Sequence, residues 1–127
     1  MAKALPSHGQ IDTLEFSPLH AHHANTTFIS LDLYPFPKVH VGKALDILRD
    51  PHGPFRYPPG LEDGFEDEQC GYDFVFIDAN KEQIHEYFQE AIRLTRRGGV
   101  IVVDNAIRNG RWVFGDPIFV LVVLRIS

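Results

Sequence analysis

The sequence holds a single cysteine, Cys70. That excludes an internal disulfide framework and fits a reducing compartment. Cys70 sits in an acidic stretch with no activating neighbour, which argues against a nucleophilic role. Basic residues are in the minority, with 12 Lys plus Arg against 17 Asp plus Glu and a formal charge of −5. This balance speaks against a strongly basic nucleic-acid binder. Apolar runs are short. The longest, Ile118–Leu124, falls well below the roughly 18 residues a membrane-spanning helix needs. Residues 1–10 lack the apolar core of a secretory signal. The expectation is a cytoplasmic protein with no membrane or nucleic-acid partner. There is no G-x-G-x-x-G, no P-loop and no G-x-S-x-G.

What is present is globular composition: 127 residues, 44% hydrophobic, 23% charged and 12% aromatic. Length and composition predict one domain, or a piece of one. The excess negative charge concentrates in residues 51–70, where Glu62, Asp63, Glu66, Asp67 and Glu68 stand against Arg56 alone. Four prolines and three glycines break the same stretch, and no apolar period runs through it. It reads as a long, solvated surface loop inserted in the domain.

Around that loop, strand and helix patterns alternate. Gly9–Phe16 reads as a strand ending near Glu15. Ser17-Pro18 gives an N-cap followed by proline at the first helical position. Thr26–Tyr34 is β-branched and aromatic, and looks strand-like before Pro35 and Pro37. Lys38–Val41 is a short strand, and Lys43–Arg49 has the spacing of a helix with a buried stripe. Tyr72–Ile77 and Val100–Val103 are apolar on both faces, as covered parallel strands are. Between them, Lys81–Arg97 carries Ile84, Tyr87, Phe88, Ala91 and Ile92 at amphipathic helical spacing, with Gly98-Gly99 as its predicted end. Residues 72–103 thus have the length of one right-handed βαβ unit. The pattern predicts a doubly wound α/β sheet.

Three of these strands end in polar groups: Glu15, Asp78 and Asp104-Asn105. Ligands of open α/β sheets bind beyond the carboxyl ends of the strands. Asp78, Asp104 and Asn105 offer three oxygens that suit a hard divalent cation such as Mg²⁺. The plainer alternative is that each Asp caps the helix that follows. Glu15 can accept hydrogen bonds from a ribose diol, or can be a surface acid before a turn. Lys81 opposes the helix dipole, which points either to a general base beside a metal or to a solvated side chain. His20, His22 and His23 lack the further ligands zinc would require and read as a solvated helix face. A phosphoacceptor receiver domain also places acids at strand ends, but it would expect a lysine after a late strand, and none stands there.

The segment Tyr72–Trp112, with its strand–D-A-x-K–helix–G-G–strand–D-N-x-x-x-x-G series, resembles the cation-dependent O-methyltransferase family of catechol and caffeoyl-CoA type. AKALPSHGQIDTLEFSPLHA and KVHVGKALDIL resemble that family's second and third strands with their flanking helices. The resemblance implies a Rossmann-like methyltransferase sheet that binds S-adenosylmethionine. It implies that Glu15 holds the cofactor ribose, that Gly42 and Ala44 line the adenine, and that Asp78 borders the cofactor as well. Asp78, Asp104 and Asn105 become metal ligands, and Lys81, with Asp78, the catalytic pair. The implied partner is a small hydroxylated aromatic acceptor, with a homodimer as the implied assembly. The family's first strand with its glycine loop and its final hairpin have no counterpart in the pattern. An incomplete domain over residues 1–127 is therefore expected. Its residues 24–37 look strand-like where the family has a helix, and Asn80 stands where a second Asp is frequent. A non-catalytic remnant, or a module that binds a partner through open sheet edges, is the competing expectation.

Overall fold

The computed structural model describes residues 2–58, 70–79, 81–104 and 120–125. For Lys81 and residues 120–125 the description is of the backbone alone. Five strands form one sheet: β1 (Gln10–Glu15), β2 (Lys38–Val41), β3 (Tyr72–Asp78), β4 (Thr95–Val103) and β5 (Val120–Arg125). Their order is β2-β1-β5-β3-β4. β1 pairs parallel with β2, and β3 parallel with β4. β5 lies antiparallel between β1 and β3. The helices are α1 (Pro18–Ser30), α2 (Ala44–Arg49) and α3 (Ile84–Leu94). None of the described helices is long and apolar enough to cross a membrane.

The alternating α/β expectation holds, and three of its details are corrected. The strand-like reading of Thr26–Tyr34 gives way to helix as far as Ser30. Ser17 caps α1, its hydroxyl accepting from the His20 amide, and Pro18 opens it. Within the helix the Thr26 and Thr27 hydroxyls each donate to a carbonyl one turn back, at His22 and His23, 2.9 Å in both cases.

The helix expected over Lys81–Arg97 begins as a 3₁₀ turn at Lys81–Gln83 and stops at Leu94. Gly98-Gly99 lies inside β4 rather than at a helix end. The backbones of residues 71 and 96 meet closely where β4 begins. Gly71 approaches the β4 start so closely that a Cβ there would lie 2.5 Å from the Arg96 amide nitrogen, and its φ is +131°. The Arg96 guanidinium, paired with the buried Asp73 carboxylate, holds the start of β4 against β3.

The third correction concerns residues 51–70. Phe55 is 1% exposed and sits in the main core with Leu14, Leu48, Tyr72 and Val75. Its ring meets His40 edge-on at 5.0 Å. Residues 59–69, which carry the acidic cluster, lie outside the described residues. In the tail, residues 120–125 are paired on both sides, with β1 and with β3.

Arg93 fastens the Phe55 turn to α2 and α3. Its guanidinium donates to the carbonyls of Leu48, Phe55 and Arg56 at 2.9–3.2 Å and to Glu90 at 2.8 Å. Glu90 also accepts from Arg49 at 2.9 Å. Burial pushes the Glu90 carboxyl up, and the two arginines more than offset this to hold it below its ordinary value. Arg93→Met keeps the aliphatic stem and removes the donors, and is expected to lower stability by about 2 kcal/mol. A urea midpoint that moves down at unchanged slope would show this. An unmoved midpoint would show the three carbonyls to be equally well served by water.

Candidate functional site

The sheet brings the predicted strand-end residues into one row. Glu15 is the last residue of β1, and Asp78 the last of β3. Both pair with Val120, the first residue of β5. On the far side of β3, Ile77 aligns with Val103, the last residue of β4, and the Asp104 amide donates to the Ile77 carbonyl at 2.8 Å. On the near side Val41 aligns with Glu15. The carboxyl edge therefore reads Val41, Glu15, Val120, Asp78, with Asp104 beyond. At normal strand spacing Glu15 and Asp78 are about 10 Å apart along the edge.

At one end of the row the Glu15 carboxylate is set by the turn after β1. Its Oε1 accepts from the Ser17 amide at 2.8 Å and lies 3.8 Å from the exposed His20 Nδ1. The Gly42 amide donates to the Glu15 carbonyl at 3.0 Å. Gly42 has φ +143°, which an L side chain rarely adopts, and a Cβ there would press on Ile47 at 3.3 Å. Ala44, buried at 6% exposure, opens α2 beside it. Glu15, Gly42 and Ala44 thus occupy one corner of the edge.

At the other end stand two carboxylates. Burial, and then the neighbouring charge of Asp104, push the Asp78 carboxyl above its ordinary value. Two acids whose charges are felt by one another in a partly desolvated place are a usual donor set for a hard divalent cation. Among the described residues no group of three or more His, Cys, Asp or Glu is arranged to hold a metal ion. The described part of the proposed set is Asp78 and Asp104, and Asn105 lies outside the described residues. Lys81 opens the 3₁₀ turn three residues after Asp78, with its side chain outside the description. His20, His22 and His23 are exposed on α1, in keeping with the solvated-face reading.

Two features escaped the sequence reading. One is Val120, which enters the row between Glu15 and Asp78. The apolar run that contains it gave no sign of where it would pair. The other is the buried acid Asp12, which shares a strand face with Leu14. A charge at an inward position of an alternating strand was the available signal. A cleft of about 280 Å³ lined by Leu48, Arg49, Asp50, Arg56, Glu90 and Arg93 lies near the C-terminal ends of α2 and α3, so it belongs to the opposite edge of the sheet. Its arginines Arg49 and Arg93 are engaged with Glu86, Glu90 and carbonyls, and it is not the site.

An α/β sheet with acids along its carboxyl edge is an arrangement in which that edge suits a small ligand. Residues 1–120 match the model of a family described as O-methyltransferase, and the chain belongs to that family. A catechol O-methyltransferase of Niastella koreensis is 40% identical over 111 residues, covering 87% of this chain and 44% of that protein. A catechol O-methyltransferase of Mycobacterium tuberculosis is 41% identical over 110 residues, covering 87% and 43%. The chain thus spans less than half the length of these relatives. Among solved structures, the O-methyltransferase TomG from Streptomyces achromogenes, involved in tomaymycin synthesis and crystallised with S-adenosylmethionine, superposes with a TM-score of 0.63. It is 26% identical, and the match covers 99% of this chain and 66% of that one.

Proposed function

We propose that this chain carries the cofactor and cation end of a methyl-transfer site. S-adenosylmethionine would lie along the carboxyl edge, a divalent cation such as Mg²⁺ at Asp78 and Asp104, and the acceptor would be a hydroxyl of a catechol-like or phenolic small molecule. The observation that carries this reading is the row itself, with Glu15 and Asp78 level across the sheet and Asp104 beside Asp78. The names of the relatives and the cofactor bound to TomG support the same reading.

Each residue has a part. The Ser17 amide turns the Glu15 carboxylate so that its second oxygen can accept from a ribose diol. The Gly42 backbone, bonded to the Glu15 carbonyl, and Ala44 at the start of α2 would wall the adenine side. Asp78, Asp104 and Asn105 would hold the cation, whose charge would offset the repulsion that raises Asp78 beside Asp104. When bound, the cation supplies Lewis acidity that favours the acceptor's oxyanion, and the cofactor supplies the methyl group. Lys81, three residues after Asp78 in the chain, would take the acceptor's proton at Nζ. Alignment of the acceptor oxygen by this fixed edge supplies the orientational part of the rate.

The direct test is transfer of a labelled methyl group from S-adenosylmethionine to catechol by the full chain, with and without Mg²⁺. Label in catechol that depends on Mg²⁺ and vanishes with a chelator is the expected result. No transfer, or transfer indifferent to the chelator, would refute the assignment.

A second test needs no turnover. Because the folded Asp78 pKa is raised, the ionised carboxyl opposes folding at neutral pH, and the opposition fades as pH falls through that raised value. Asp78→Asn should therefore melt slightly above the wild type at pH 7 without divalent cation. Saturating Mg²⁺, at about 100 times its dissociation constant, should stabilise the wild type by about 2.7 kcal/mol and the variant hardly at all. The wild-type shift should shrink as the pH is lowered through the raised value, because protons compete for Asp78. Equal shifts in both proteins would remove Asp78 from the cation site.

A further inference from the structure

Asp12 takes no part in the site, yet at 3% exposure it is more deeply buried than any other charged residue described. A carboxylate on a core face is costly unless its charge is met by hydrogen bonds. Asp12 finds partners on three strands. Its Oδ1 lies 2.8 Å from His40 Nε2 on β2. Its Oδ2 accepts from the Tyr72 hydroxyl at 2.9 Å, at the first residue of β3, and from the Gln10 amide on β1. Burial pushes the Asp12 carboxyl up, and the bonds from His40, Gln10 and Tyr72 more than offset this, so that it stays below its ordinary value. Phe55 and Tyr72, 1% and 2% exposed, close the network from above.

The span of this network is what sets it apart. β5 separates β1 from β3, so no ladder hydrogen bond joins those two strands. The Tyr72–Asp12 bond joins them directly, past β5. β5 itself is a weak ruler. Residues 120–124 are all valine or leucine, so a slip of one or two residues exchanges one apolar side chain for another. The relative height of β1 and β3, and with it that of Glu15 and Asp78, needs a second constraint. Asp12 and Tyr72 supply one, and His40 extends it to β2, whose end carries Gly42.

Resting on the function proposed above, we infer that Asp12, clamped between His40 and Tyr72, is a positioning residue. It fixes the separation and register of Glu15 and Asp78, and so the fit of S-adenosylmethionine across the edge. The cation site lies on the adjacent pair β3 and β4, on one side of the clamp. It does not depend on that separation.

The test uses the full chain and Tyr72→Phe, which keeps the ring and removes only the hydroxyl, with Asp12→Asn as a second variant. Titration calorimetry at 25 °C should show S-adenosylmethionine binding weakened about tenfold, with Mg²⁺ binding within about twofold of wild type. Amide cross-peaks linking Glu15, Val120 and Asp78 in NMR spectra should shift or split in the variant. An unchanged cofactor affinity in folded Tyr72→Phe, or equal weakening of cofactor and cation, would overturn the inference. If the wild type binds no S-adenosylmethionine, the proposed function fails. The NMR arm then still decides the positioning claim, and unmoved cross-peaks would overturn it.

Discussion

Asp78→Ala is expected to lower Mg²⁺-dependent methyl transfer by about a hundredfold or more, with Asp104→Ala close behind. The reason lies in the geometry of the pair. Asp78 ends β3, and Asp104 follows β4 with its amide on the Ile77 carbonyl, so backbone hydrogen bonds hold both carboxylates at one edge. Burial and the Asp104 charge already raise Asp78. Removing either acid leaves a single carboxylate, which holds a hard cation poorly. Groups that act as a unit are strongly non-additive, so the double variant should be little worse than either single one. The check is kcat/KM for catechol against Mg²⁺ concentration. A double variant whose loss is the product of the two single losses would show that the two acids act separately.

The second large effect is structural. Phe55→Ala is expected to destabilise the chain by about 3–5 kcal/mol. For a domain of this size that lowers the melting temperature by about 10–20 °C. Phe55 comes from a turn with few backbone bonds of its own, yet its ring fills the space between His40, Tyr72 and Leu48 in the main core. Truncation leaves a cavity that helices and sheet cannot close without moving Arg93 from the carbonyls of Phe55 and Arg56. It also uncovers the His40–Asp12 bond to water. Calorimetric melting measures the change. A loss below about 1 kcal/mol would mean that the Phe55 turn is an ornament on the core rather than part of it.

Much of this was legible in the residues. Apolar runs bounded by Asp located β3 and the end of β4, but the reading of both as covered strands fits β3 alone: β4 lies at the end of the strand order, and its Val100 and Val102 are 53% and 38% exposed. The Ser17-Pro18 pair located the start of α1. The site row was legible as well: Glu15, Asp78 and Asp104 are strand-end acids, and parallel strands bring their ends to one edge.

What stayed hidden depends on partners distant in sequence. The threonines at 26 and 27 are ambiguous even locally, because their β-branched side chains suit a strand while their hydroxyls can bond a carbonyl one turn back in a helix. Nothing local shows that Gly98-Gly99 will run through a strand. A single phenylalanine in a proline- and glycine-rich stretch has no period to show that it is buried. The insertion of β5 between β1 and β3 is set by long-range pairing, and its uniformly apolar sequence suits several positions equally.

The account stands on the claim that Glu15 and the Asp78–Asp104 pair are two ends of one ligand site. Calorimetric titration of the full chain with S-adenosylmethionine, with and without Mg²⁺, and repeated on Glu15→Gln, tests it most directly. The account predicts binding by the wild type that Mg²⁺ tightens, and binding by Glu15→Gln that is weakened about tenfold while Mg²⁺ still tightens it. Absence of binding by the wild type, or affinities indifferent to both Glu15 and Mg²⁺, would contradict it.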